Sequence, residues 1–342
     1  MPAPPWRSAF PPYATRITAV AAAVALAATG CGTGTAEDAS EGGGESVTIE
    51  HVYGSTEISG TPERIATVGW SDEGTLLELG IVPVGLAEST YASEDGYLPW
   101  DVEKIEELGG EKPTLLHTDD GIDAEEVATL EPDLILGVQS GMEESEYEQL
   151  SQVAPTIPYL DQPWMTGWKE QSLTIGKAVG QEDEAQQLVD DTEDYIAGLA
   201  EEHPEFADKT FVIGTVMPDG QLAFYVEGEA RPELMKQLGF TPAGVTETLE
   251  PEEGAFYGIM SMEEADTIDA DVMVMWYNTE EDQKKLEDNS VFQQIPAVEN
   301  GGYIAFTDPT IAMAVSTPNP LSLPWAMDDF IPELAKAAEG EA

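Results

Sequence analysis

The chain has 342 residues, of which 42% are hydrophobic, so it is long enough for two domains of ordinary size with packed cores. It carries 13 Lys and Arg against 67 Asp and Glu, which gives a formal net charge of −54. Such a charge repels nucleic acid and argues against a nucleic-acid partner; it is typical of a highly solvated, salt-adapted surface.

Residues 1–30 have the pattern of an export signal. Arg7 and Arg16 are the only charged residues before Glu37. The apolar run at 17–28 is too short to span a bilayer as a stable helix, which takes about 20 residues. A basic stretch, a short apolar run and then small residues predict a signal peptide over residues 1–30.

Cys31 is the only cysteine, and it directly follows the apolar run in the sequence Leu-Ala-Ala-Thr-Gly-Cys. This resembles the lipobox of bacterial lipoproteins, although the usual leucine position holds Ala28 and Leu26 lies two residues further back. The resemblance implies that Cys31 is lipidated and anchors the protein on the outer face of the cell membrane. The alternative is an unmodified cysteine near an ordinary cleavage site.

Residues 31–46 contain three consecutive glycines and predict a flexible tether.

From residue 47 onward, short β-type runs alternate with helical patterns. The runs lie at 47–52, 65–68, 82–85 and 134–137, and the helical patterns at 72–79 and 124–130. The first helix is expected to stop at Gly80. This alternation predicts parallel sheets and the α/β class, and we assign residues 47–165 to an N-terminal lobe.

Residues 166–202 predict one long connecting helix. The segment has no proline and carries apolar residues at helical spacing, with a break near Gly180 where the helix can kink. The β/α pattern then resumes over residues 203–342, which we assign to a C-terminal lobe. Strands are predicted there at 211–216, 222–226 and 272–275, and helices at 232–238, 262–268 and 320–338.

Two segments on opposite sides of the connecting helix match each other. Residues 125–136 align without gaps to residues 263–274, with four identities and similar polarity at most other positions. A second pair, 79–85 and 238–244, precedes them in the same order. Such self-similarity predicts two similar lobes, and chance likeness between helix-strand units is the alternative. In open α/β sheets, ligands bind beyond the carboxyl ends of the strands, so the two lobes would enclose one cleft.

The order of these motifs resembles that of the ferric-siderophore-binding proteins of ABC importers. The resemblance covers residues 47–342, and its carriers are Pro-Glu-Arg-Ile-Ala-Thr-Val-Gly-Trp at 62–70, Leu-Gly-Ile-Val-Pro-Val-Gly at 79–85, Leu-Glu-Pro-Asp-Leu-Ile-Leu at 130–136, the stretch 147–155 and Trp-Lys-Glu-Gln at 168–171. It implies a class III periplasmic-binding-protein-like fold. In that fold, two α/β lobes with central, mainly parallel sheets are joined by one long backbone helix.

The resemblance also implies a partner. In that family a glutamate on each lobe docks onto arginines of the ABC permease, and the matching positions here are Glu125 and Glu263. Both precede the apolar positions of a predicted helix, where a carboxylate also suits the helix dipole, and that simpler role is the alternative. Exposed ion pairs are individually weak, so they would orient docking more than supply affinity. The protein is expected to act as a monomer.

Candidate ligand-binding residues are an arginine and the aromatic and polar side chains near predicted strand ends. Arg231 stands at a loop-to-helix junction, where the helix dipole disfavours it, so we expect it to contact carbonyl or anionic oxygens of a chelate; a surface salt bridge in this acid-rich protein is the alternative. Flat aromatic faces suit a bulky organic ligand, although core packing is the alternative for each tryptophan. The other candidates are Trp70, Gln139, Ser140, Trp164, Tyr257, Trp276 and Asn278.

Direct metal binding by the protein is not expected. His51, His117 and His203 are scattered without ligand spacing, so we expect no metal site and no cofactor, and iron would arrive wrapped in its chelator.

The shortage of basic residues favours a neutral or cationic hydroxamate-type ferric siderophore. The alternatives are cobalamin or haem as cargo, or a purely structural surface protein. Neither a Gly-x-Ser-x-Gly elbow nor a phosphate loop is present, which argues against an enzyme.

Overall fold

The computed structural model describes residues 46–251 and 255–342. The predicted signal peptide, Cys31 and residues 31–45 of the predicted tether lie outside the described residues. Ser46, the last residue of that tether, is the first residue of a strand, so the N-terminal lobe begins one residue earlier than the pattern predicts.

The N-terminal lobe is built on a five-stranded parallel sheet in the order β5-β4-β3-β6-β7. A hairpin formed by β1 and β2 precedes it. The strands are β1 (Ser46–His51), β2 (Gly54–Ser59), β3 (Ile65–Thr67), β4 (Gly85–Ala87), β5 (Thr114–Leu116), β6 (Leu134–Leu136) and β7 (Thr156–Ile157). The helices are α1 (Asp72–Glu78), α2 (Pro99–Leu108), α3 (Ala124–Ala128) and α4 (Glu144–Leu150).

Local sequence signals explain most of these boundaries. Helix α1 ends where Gly80 adopts φ 80°, and the N–H of Ile81 donates to Leu76 O, which confirms the predicted glycine stop. Strand β4 begins three residues later than predicted. Pro83 has no N–H to donate, and the first bond to the neighbouring strand is made by Val84, which donates to Ile65 O.

The connecting segment is helical but divided into two helices, α5 (Trp168–Ala178) and α6 (Glu182–Glu202). The division falls at Gly180, where a kink is predicted. Gly180 has φ 72°, and the N–H of Gln181 donates back to Gly176 O. Helix α5 packs against the N-terminal lobe through Ile175, whereas α6 packs through Ile196 against the C-terminal lobe. The break therefore lies where the packing passes from one lobe to the other.

The C-terminal lobe contains a mixed six-stranded sheet with the main order β11-β9-β8-β12-β13, in which β10 pairs with β8. Strands β8, β10, β12 and β13 pair in parallel, and β9 and β11 are antiparallel. The strands are β8 (Thr210–Val216), β9 (Leu222–Tyr225), β10 (Thr241–Pro242), β11 (Tyr257–Met260), β12 (Val272–Trp276) and β13 (Tyr303–Phe306). The helices are α7 (Ala230–Gln237), α8 (Glu280–Glu287), α9 (Pro296–Glu299), α10 (Pro309–Ser316) and α11 (Ser322–Glu339).

The matched sequence segments occupy equivalent places in the two lobes. Strand β6 pairs in parallel with β3, and β12 pairs in parallel with β8. The aspartate that precedes β6 or β12 accepts hydrogen bonds from backbone N–H groups at the start of the neighbouring strand, β3 or β8. Asp133 accepts from the N–H groups of Glu63 and Arg64, and Asp271 accepts from the N–H of Thr210. The segment at 262–268 is a 3₁₀ turn, Met262–Thr267, rather than the predicted α-helix.

The lobes also share apolar contacts. Leu77 and Trp100 from α1 and α2 belong to the same buried cluster as Phe330 of α11, and the rings of Trp100 and Trp325 lie 5.1 Å apart. The two-lobe α/β class is confirmed, and the lobes meet through this apolar contact.

Candidate ligand-binding cleft

A cleft of about 330 Å³ lies between the lobes, at the carboxyl ends of their parallel strands. Trp70 follows β3, Glu88 follows β4, Met217 follows β8 and Asn278 follows β12, and all four line the cleft. This is the place at which open α/β sheets bind ligands. The volume is at the small end of the range for small-molecule sites.

Five of the eight residues predicted to bind ligand line this cleft. They are Trp70, Arg231, Tyr257, Trp276 and Asn278. Trp276 is the last residue of β12 and is only 4% exposed, because its ring also packs against Phe306 and Phe330. Trp276 is therefore part of the core packing and part of the cleft wall.

The structure places Gln139, Ser140 and Trp164 behind Trp70 rather than on the cleft wall. The ring of Trp164 lies 4.7 Å from that of Trp70, and Gln139 Nε2 donates to Trp164 O. Ser140 Oγ donates to Gly137 O. Gln139 and Ser140 are buried, so the role that this geometry offers all three residues is to support Trp70.

A buried aspartate explains why this loop turns away from the cleft. Asp72, at the start of α1, accepts from the N–H groups of Val138 and Gln139, at 2.9 and 3.3 Å, and from Gln171 Nε2 at 2.7 Å. Gly69 lets the Asp72 carboxylate lie close to the backbone after β3, since a Cβ at position 69 would collide with that carboxylate. The chain after β6 is thus fixed beneath α1.

Among the described residues that line the cleft, Arg231 is the one basic residue. Its side chain is 8% exposed, and Nη2 lies 2.8 Å from Glu229 Oε1. Its guanidinium stacks on the Tyr225 ring at 3.4 Å, and Nη1 donates to Ser316 Oγ at 3.2 Å. Burial alone would lower the pKa of Arg231, but the Glu229 carboxylate raises it, so the guanidinium stays charged. Glu229 also caps α7 by accepting from the N–H of Arg231, which offsets the unfavourable dipole.

Several aromatic side chains of the cleft lie outside the sequence prediction. Tyr225 and Phe256 form the wall around Arg231, and Tyr91 faces them from the N-terminal lobe. Tyr225 ends an antiparallel strand, to which the strand-end rule does not apply. Tyr91 lies in the loop after β4, and its only sequence signal is its proximity to a predicted strand end.

Two further carboxylic acids, Glu73 and Asp101, are buried between α1 and α2. Glu73 is 3% exposed and Asp101 is 1% exposed. Burial raises the pKa of Asp101 to about 8 and that of Asp72 to about 6. Burial, and then the charge of Asp101, raise the pKa of Glu73 well above its usual value. Because the folded state holds these protons more tightly than the unfolded state, the three groups lower stability as pH rises above about 4.

Replacing Asp101 with asparagine is expected to flatten this pH dependence. The loss of unfolding free energy between pH 5 and pH 8 should shrink by at least ~1.4 kcal/mol, the equivalent of one pKa unit. Urea unfolding at both pH values measures the change. Glu106→Gln, which removes an exposed charge from the same helix, is the control. An unchanged pH dependence in Asp101→Asn would contradict a buried, proton-holding Asp101.

The two predicted docking glutamates occupy matching positions. Each is exposed and lies two residues after a capping side chain, and that side chain, Asp123 or Ser261, accepts from the N–H of Glu125 or Glu263. Over residues 46–251 and 255–342, neither of the two carboxylates forms a hydrogen bond or an ion pair. The neighbouring Glu126 pairs instead with His117, and Glu264 accepts from the N–H of Ser261.

Neither a metal-ligand cluster nor a membrane-spanning helix is found among the described residues. In that part of the chain, no group of three or more His, Cys, Asp or Glu side chains is placed to hold a metal ion. The same residues include no helix that is long and apolar enough to cross a membrane.

Two lobes, a divided helical connection and a cleft at the strand ends define a periplasmic binding protein. The family model described as "Periplasmic binding protein" matches residues 65–310, and the chain belongs to this family. The sequence resemblance is thereby confirmed.

Among solved structures, the chain is similar to the iron uptake ABC transporter substrate-binding protein PiaA of Streptococcus pneumoniae TIGR4. The identity is 30% and the TM-score 0.75, over 86% of this chain and 100% of that one. For PiaA in complex with ferrichrome the TM-score is 0.79, again at 30% identity, over 86% of this chain and 99% of that one. The Fe(3+)-citrate-binding protein YfmC of Bacillus subtilis (strain 168) is 27% identical over 263 residues, which cover 75% of this chain and 77% of YfmC.

Proposed function

We propose that this protein captures a ferric siderophore outside the cytoplasm and delivers it to an ABC permease. The observation that carries the proposal is the cleft between the lobes, walled by aromatic rings and holding one buried arginine. Aromatic faces suit a bulky chelate, and a charged guanidinium can donate to its oxygens. Membership of the periplasmic binding protein family and the likeness to PiaA, solved with ferrichrome, support the same conclusion. The role is binding and not catalysis.

The charges around the cleft favour a neutral or cationic hydroxamate as the ligand. Arg231 is already paired with Glu229, so it offers no uncompensated positive charge to a strongly anionic chelate. The other charged residues that line the cleft, Glu73, Glu88 and Asp119, are all acids. Haem would usually need an axial histidine or tyrosine. The three histidines do not line the cleft, whereas Tyr91, Tyr225 and Tyr257 do, so a haem held by a tyrosine is the rival ligand that the panel tests.

A ligand panel tests the proposal. Trp70 and Trp276 line the cleft, so a ferric hydroxamate should quench tryptophan fluorescence with micromolar or tighter affinity. The panel should contain ferrichrome, ferric citrate, a ferric catecholate, cobalamin and haem, each with its iron-free form where one exists. Tight binding of cobalamin or haem alone would move the cargo to those classes. Lack of binding to any ferric chelate would remove the iron assignment.

The same proposal places the protein on the extracytoplasmic face of the cell membrane. Residues 1–30 would direct export, Cys31 would carry the lipid and residues 31–46 would form the tether. The mature protein would act as a monomer, with residues 47–165 and 203–342 as lobes and 166–202 between them. Glu125 and Glu263 would dock the two lobes onto the permease.

A further inference from the structure

Among the described residues, one acid of the cleft has no partner in another residue. Glu88 lies 3.2 Å from His117 Nε2, and Asp119 accepts from Thr90 Oγ1 at 2.8 Å. Glu73 also lines the cleft, but within residues 46–251 and 255–342 its carboxylate forms no hydrogen bond to another residue and no ion pair. It is nevertheless 97% buried. Within the described residues, only its own backbone N–H is placed to donate to this carboxylate. A buried acid with no partner in another residue is costly, and such groups concentrate at functional sites.

The surroundings of Glu73 carry no compensating positive charge. Asp101 on α2 is buried nearby, and its Oδ1 has no hydrogen-bond partner. Asp72 precedes Glu73 on α1 and is bonded to Gln171 of α5. Lys104 is the only basic residue on α1 and α2, and its Nζ lies 3.0 Å from Glu78. Across the cleft, Arg231 is paired with Glu229.

We propose that Glu73, with Asp101 nearby, receives a positively charged group of the ligand, so that the cleft selects ferric hydroxamates that carry a protonated amine. The inference rests on the proposed function and narrows its ligand class. An ammonium group supplies the hydrogen-bond donors and the positive charge that the Glu73 carboxylate lacks, and the buried Asp101, which does not line the cleft, adds negative charge nearby. A chelate with free carboxylates would instead bring like charge to the same acids, which is unfavourable.

The same geometry predicts that the preference for an amine-bearing ligand depends on pH. Burial, and then the charge of Asp101, raise the pKa of Glu73 well above its ordinary value, so the free protein keeps this carboxyl protonated to a higher pH than an exposed glutamate. An ammonium can pair only with the ionised form. The preference for an amine-bearing ligand should therefore grow as pH rises from 5 to 8, while the amine itself stays protonated.

A pair of ligands that differ in one charge tests the inference. Ferrioxamine B carries a terminal amine, and N-acetylation removes its charge while leaving the iron centre unchanged. We expect the native protein to bind the amine form at least about tenfold more tightly at pH 8, as for other charge-assisted contacts. Titrations at about 0.5 M sodium chloride screen the distant surface acids, because the Debye length there is only about 4 Å.

The matched variants are Glu73→Gln and Glu106→Gln. Glu73→Gln should bind both chelates equally and lose the pH dependence of the ratio, whereas the exposed Glu106→Gln should behave as the native protein. The pH series on the native protein needs no variant, so it remains decisive if Glu73→Gln does not fold. Equal affinity of the native protein for both chelates at pH 8 would overturn the inference alone. Failure of both to bind while ferrichrome binds would also overturn the inference and leave the proposed function standing, whereas failure of every ferric chelate of the panel would overturn both.

Discussion

Arg231→Ala is expected to lower the free energy of unfolding by about 3–5 kcal/mol, the usual cost of removing one partner of a buried ion pair. Glu229 would remain, 2% exposed and without its guanidinium. The Tyr225 ring would also lose the group stacked on its face. Denaturant unfolding measures the change. Arg64→Ala is the control, since the Arg64 guanidinium is exposed and, within the part of the chain that the structure describes, donates to the carbonyl oxygens of Leu130 and Glu131.

The same variant should weaken binding of a ferric hydroxamate by at least about tenfold, because a charged donor leaves the cleft wall. The double variant Arg231→Met with Glu229→Gln separates the two effects. It removes both charges of the pair, so stability should return towards that of the native protein, while the loss of affinity persists. Native affinity in that double variant would show that the guanidinium serves the fold and not the ligand.

The fold is predictable from the sequence wherever the signal is local. Gly80 and Gly180 end helices through their own backbone conformation, which no distant contact needs to supply. The apolar run at 134–136 becomes a central strand because it can bury both of its faces. The internal repeat predicts the second lobe, and Asp133 and Asp271 show that equivalent residues do the same work in both.

The site is less predictable because distant contacts decide it. Gln139 follows a central strand and is expected at the cleft. The backbone N–H groups of Val138 and Gln139 instead donate to the Asp72 carboxylate, which holds this loop beneath α1. Nothing in the local sequence marks Asp72 for that task. Glu73 cannot be recognised from the sequence either, since it is one of 67 acids and only tertiary packing buries it. Tyr225 escapes prediction because β9 runs antiparallel to β8.

Glu125→Ala combined with Glu263→Ala is expected to abolish uptake of the ferric siderophore while leaving its affinity within about twofold of the native value, as surface changes away from a site usually do. Neither carboxylate lines the cleft, and each is exposed at the start of a helical turn. Their loss removes one negative contact per lobe from the surface offered to the permease. Each single variant should retain partial uptake, since exposed ion pairs contribute little individually.

Uptake of radioactive iron by cells that carry the cognate permease measures this effect, with fluorescence titration of the purified variant as the binding readout. The matched control replaces one exposed acid of each lobe elsewhere, Glu106→Ala with Glu299→Ala, and so changes the net charge equally. In a protein of charge −54, two charges are a small fraction of the total field. An uptake defect confined to the docking pair would therefore reflect position and not net charge. Native uptake by the docking pair would refute their role and leave the cleft assignment standing.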